Sequence, residues 1–113
     1  MPDGNALAEA IAEACKNIEQ RVTALIEEAR RENCLFFRCR LDLNAPALPI
    51  QIRFSDRAGR IYRRNIACDR LFRKLGVTLT LGRATDLMKH AQSLVLATEG
   101  IQPDRSRRDG RRA

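Results

Sequence analysis

The stretch that decides the fold runs from Leu35 to Ile66, LFFRCRLDLNAPALPIQIRFSDRAGRIYRRNI. Residues 35–43 alternate: Phe37, Cys39, Leu41 and Leu43 fall on one side, Phe36, Arg38, Arg40 and Asp42 on the other. Successive strand side chains point to opposite faces, so this pattern predicts a half-buried strand. Pro46 and Pro49 mark 44–49 as a connection. A second strand follows, with Ile50, Ile52 and Phe54 inward and Gln51, Arg53 and Ser55 outward. Asp56-Arg57-Ala58-Gly59 then has Asp first and Gly last, a type I turn signature, and Gly59 can supply the left-handed residue of a bulged hairpin. The third strand is placed at 60–66.

The register follows from the loop. If Arg57, Ala58 and Gly59 form a three-residue turn, Asp56 faces Arg60, Phe54 faces Tyr62 and Ile50 faces Ile66. Apolar then meets apolar, which supports the choice. Arg64 is the misfit on the inner face, its stem reaching water from a strand end. On the outer face Arg53 lies opposite Arg63.

Upstream, 5–32 reads as one long amphipathic helix with Asn5 as N-cap and Glu9 near the positive end of the dipole. Leu7, Ile11, Ala14, Ile18, Val22, Leu25 and Ala29 form its stripe, with a mean spacing near 3.67 residues. That spacing suits a straight helix on a sheet, not a left-handed coiled coil. A homodimer through the stripe stays open. Downstream, a short helix is expected over 66–75, capped by Asn65, ended by Gly76, and packing Leu71, Phe72 and Leu75. Val77, Leu79 and Leu81 alternate with Thr78 and Thr80, which reads as a short fourth strand. A last helix over 83–98 turns Ala84, Leu87, Met88, Ala91, Leu94 and Val95 inward; Gly100 and Pro103 end it. The expected fold is α+β: long N-terminal helix, three- to four-stranded antiparallel sheet, short helix, C-terminal helix and a disordered basic tail. A single domain would span 1–100, with a flexible Arg-rich tail at 101–113.

With 113 residues, 44% of them apolar, the chain can bury one core without metal or disulfide staples. No apolar run approaches the roughly 20 residues of a membrane span. No secretory leader is visible, so a cytoplasmic location is expected. Cys15, Cys34, Cys39 and Cys68 contain no C-x-x-C pair, and His90 is the only histidine. Zinc spacing is missing, no cofactor is implied, and reduced, structural thiols are the default.

Charge is unevenly placed. Residues 1–33 carry seven acids and four bases, residues 34–76 ten bases and three acids. The formal net charge is +7, and 18 of the 21 bases are Arg, whose planar fork suits phosphate and carboxylate. Catalysis has little support: there is no G-x-S-x-G, H-E-x-x-H or phosphate-cradling glycine loop. Pairing of His90 with Cys39 or Cys68 has no help from the sequence, and the chain is not expected to be an enzyme. The outer sheet face is the specific feature. Arg38, Arg40, Arg53 and Arg63 would share it, with Gln51 and Asn65 among them; Arg57, Arg60, Arg70, Arg73 and Lys74 would extend it. Like charges opposite one another in a sheet are unfavourable unless an anion sits on them. Phe36 beside Arg38 could stack on a base or anchor a partner, or be covered by the C-terminal segment. Arg105 to Arg112 would add an unspecific electrostatic arm.

The order helix, three strands, helix resembles that of double-stranded-RNA-binding domains, in topology alone. Their basic cluster at the start of the last helix is reduced here to Arg83 and Lys89, and extra elements follow the third strand, so no family is assigned. The same order occurs in small protein-binding adaptors and secretion chaperones. A helix-turn-helix can also be drawn through Asp69–Leu94, bringing Arg83, Thr85, Lys89 and His90 to a major groove. Gly82 stands where its second helix takes a branched apolar residue. The expectation is a basic nucleic-acid-binding protein, for DNA or RNA, making mainly phosphate contacts. The alternative is an adaptor, chaperone or inhibitor of phage or mobile-element type, acting on an acidic protein through the basic face or through Glu9, Glu13, Glu27 and Glu28.

Overall fold

The computed structural model describes residues 4–103. Its elements are α1 (Gly4–Arg31), β1 (Phe36–Leu41), β2 (Ile50–Ser55), β3 (Ile61–Ile66), α2 (Cys68–Arg73), α3 (Leu81–Leu96) and β4 (Gln102–Pro103). The sheet order is β3-β2-β1-β4. The three long strands are antiparallel neighbours, whereas β4 runs parallel to β1. The fold is α+β with a mixed sheet.

The hairpin has the expected register: Phe54 faces Tyr62 and Ile50 faces Ile66. Asp56 closes the turn, its backbone N–H donating to Arg60 O at 3.1 Å and its Oδ1 accepting from the Arg60 N–H at 2.9 Å. Gly59 has φ +92°, a conformation that a Cβ disfavours. Ile50, Ile52 and Phe54 are at most 1% exposed, so β2 is the middle of the core.

α1 and α3 cover the inner face, with α3 over β1. On α1 the buried line is Ala10, Ala14, Ile18, Val22, Ile26 and Ala29. It is rotated from the expected stripe: Ile11 is 37% exposed, while Ala10 and Ile26 are buried. Ala10 and Ala14 present little bulk, which lets a neighbouring helix approach closely. α1 starts at Gly4, so Asn5 lies inside the helix and not at its cap.

Further expectations are corrected. α2 is shorter than 66–75, and its N-cap is Ala67, because Asn65 is still paired in β3 with Gln51. Leu75 is exposed, lying beyond the end of α2, while Cys68 and Phe72 of α2 are buried in the core. The Val77–Leu81 alternation makes no strand. Val77 and Leu79 pack on the core as an extended linker, and the Thr80 hydroxyl caps α3 by accepting from Arg83 N–H at 3.2 Å. The fourth strand position is taken instead by Gln102, whose N–H donates to Leu35 O at 2.9 Å. Leu43, expected inward, is 69% exposed because β1 ends at Leu41. The tail beyond Pro103 lies outside the described residues. No helix among these is long and apolar enough to cross a membrane.

Candidate nucleic-acid interface

The antiparallel registers align the outer face into three rows across β1, β2 and β3. Phe36, Ser55 and Ile61 form the first, Arg38, Arg53 and Arg63 the second, Arg40, Gln51 and Asn65 the third. Adjacent strands lie roughly 4.8 Å apart, so the arginine row spans about 10 Å. Both main helices lie on the other side, against the buried face. The second and third rows line a concavity of about 550 Å³, to which Arg64 also contributes. Among the described residues, no Asp or Glu lines it. Arg40 is positioned across the strands, its Nε donating to Gln51 Oε1 at 3.1 Å. Arg64 is tethered from the inner side. Its Nη2 lies 3.3 Å from Glu28 Oε2, and its guanidinium carbon lies 4.3 Å from the Tyr62 ring centroid. Hydrogen bonding to the same Glu28 carboxylate raises the Tyr62 phenol above its ordinary value.

The other predicted residues fall elsewhere. Arg57 and Arg60 stand at the hairpin end, beside a second depression of about 350 Å³ that Asn33, Leu35, Phe36 and Gln102 also line. Arg60 is paired with Asp56, Nε to Oδ2 at 2.9 Å. The Arg60 side chain and the Ala58 and Arg60 N–H groups hold the Asp56 carboxyl below its usual range. Arg70, Arg73 and Lys74 ride on α2, which packs on α1, and Arg73 pairs with Asp69 at 2.7 Å. None of these five lines the arginine concavity. Phe36 is half-buried, with Gln102 of β4 beside it. Sequence reasoning missed Ile61, 47% exposed in the Phe36 row, although β3 alternation places it with Arg63 and Asn65. It also missed Asn33 and Gln102, the latter brought beside Phe36 by the parallel pairing of β4 with β1.

Three of the four residues of the helix-turn-helix reading are engaged within the molecule. Arg83 Nη1 donates to Thr78 O, the Thr85 hydroxyl donates to Leu81 O at 2.8 Å, and His90 Nε2 lies 2.9 Å from Glu19 Oε2. The thiols are free. Burial pushes Cys39 up to about 12 and Cys68 up to about 11, the opposite of nucleophile activation. Among the described residues no cluster of three His, Cys, Asp or Glu could hold a metal.

No family model, curated protein or solved structure matches the chain. The site is therefore read from its own geometry.

Proposed function

We propose that this chain binds nucleic acid through the open sheet face, with phosphate oxygens contacted by Arg38, Arg53 and Arg63 and, beside them, Arg40. The observation that carries this is the row of three arginines set directly across three strands on the face opposite the helices. Such a row is costly for a sheet alone and favourable with a polyanion on it. Contacts of this kind fix position and orientation and read little sequence. We read the chain as a binding protein of the cytoplasm without catalytic activity of its own.

The test is a titration of nucleic acid against wild type and an Arg53→Ala, Arg63→Ala double variant at several salt concentrations. Two lost phosphate contacts lower the affinity and flatten the log–log salt slope by roughly 1.4 to 1.8. Equal affinity and equal slope would remove this face from the account. A second reading rests on the exposed acids Glu9, Glu13 and Glu27 along α1. A protein-binding adaptor would use them or the basic face, and would co-purify with one stoichiometric protein after nuclease treatment.

A further inference from the structure

We propose that the ligand of this face is a single strand, and that one of its bases sits against Phe36 in the depression at the hairpin end of the sheet. This rests on the nucleic-acid reading above and adds to it the form of the ligand and a base site. The depression, about 350 Å³, is at the small end of ligand sites and has room for one planar base. Phe36 supplies a partly exposed aromatic surface on its wall. Stacking on such a surface tolerates any base. Asn33 and Gln102, both exposed at the rim, carry amides that donate to and accept from a base edge. Arg57, exposed in the turn, adds a cation. Among the described residues the carboxylate there is Asp56, and Arg60 pairs with it at 2.9 Å.

The spacing joins this depression to the arginine row. Phe36 and Arg38 point to the same face of β1, two residues and therefore roughly 7 Å apart. That is the scale separating a base from its own phosphate. A base on Phe36 thus leaves its phosphate beside Arg38, with Arg53 and Arg63 next along the row. In a duplex the base is stacked inside and cannot reach a half-buried ring on a sheet. A single strand presents it unpaired.

The experiment measures binding of a labelled 12-residue oligothymidylate, a duplex of equal length and, as competitor, inorganic polyphosphate, which has charge and no bases. Wild type is expected to bind the single strand more tightly than the duplex at equal salt. Phe36→Ala lowers single-strand affinity about tenfold with the salt slope unchanged and polyphosphate competition unaltered. Arg57→Ala, in an exposed turn where folding is not at stake, lowers affinity and flattens the slope. Ultraviolet cross-linking to oligothymidylate followed by tryptic digestion places the adduct on the 32–38 peptide that contains Phe36. Stronger binding of oligouridylate with the same Phe36 dependence supports the site and assigns RNA. Duplex binding equal to single-strand binding, with Phe36→Ala unchanged and the adduct elsewhere, overturns the base site; a loss in the Arg53→Ala, Arg63→Ala variant would then leave the parent reading standing. Absence of binding to every nucleic acid removes both.

Discussion

At the residue scale, three of the four cysteines and Asp56 show what burial and pairing do to titration. Cys39 and Cys68 are buried in the core, and desolvation disfavours their thiolates. Cys15 is only partly buried, so its rise has less cost behind it. Alkylation of native protein at pH 8, followed by peptide mass analysis, is expected to mark Cys15 first. Cys39 and Cys68 should react only after denaturant is added; rapid labelling of Cys39 in the native state contradicts this burial. Asp56 responds in the opposite sense. Its carboxyl is held below the ordinary 3.8, so its pairing stabilises the fold at neutral pH, and that contribution is lost as pH falls below 3.8 through the lower folded value. Urea midpoints of wild type and Asp56→Asn should therefore differ at pH 7 and converge toward pH 2. Of these particulars, the Asp56–Gly59 turn was legible from the residue types. The Arg60 pairing needed the register, which brings Arg60 back to Asp56 across the loop.

At the element scale, β3 and its partners set stability against binding. Arg63 lies opposite Arg53. Like charges there repel, so Arg63→Thr is expected to raise stability by about 0.2–1 kcal/mol at low salt, with the gain fading as salt screens the repulsion. The same change should weaken nucleic-acid binding. Thermal melts at two ionic strengths beside a titration check both halves, and a variant less stable at low salt contradicts the first. At the start of α3, Thr80→Ala removes the hydroxyl that accepts from Arg83 N–H and should cost about 1 kcal/mol in denaturant unfolding. The Val77–Leu81 segment shows why local pattern misled. Period-two alternation places Val77 and Leu79 against a core whether or not a strand is beside them. The segment runs instead as the link from α2 to the capped start of α3, and the strand added beside β1 is Gln102–Pro103.

For the whole molecule, the core is one continuous cluster joining α1, α2, α3 and the inner sheet face. Phe54, fully buried at its centre, is the residue whose loss should cost most. Phe54→Ala is expected to destabilise by about 3–5 kcal/mol, a large share of a small domain's stability, and to leave little folded protein at physiological temperature. Circular dichroism in denaturant measures it. The rotation of the α1 stripe belongs to this scale. Period alone admits Ile11 or Ala10 on the inward side, and close helix packing chose the smaller residue.

By itself the sequence determined the elements that rest on near neighbours. Alternation over 35–66, the Asp56–Gly59 turn and the resulting register put Arg53 opposite Arg63 with no knowledge of the rest of the chain. The same alternation set Arg38 and Arg40 on that outer face, where the pairing of β1 with β2 aligns them with Arg53 and Gln51. Tertiary structure alone carried Arg70, Arg73 and Lys74 off with α2 onto α1. It also set Asn33 and Gln102 around Phe36, residues that chain separation keeps from signalling one another. The physical reason is range. Strand period and turn conformation are dictated within a few residues, whereas the choice of which surface an element buries depends on the whole core it must help to close.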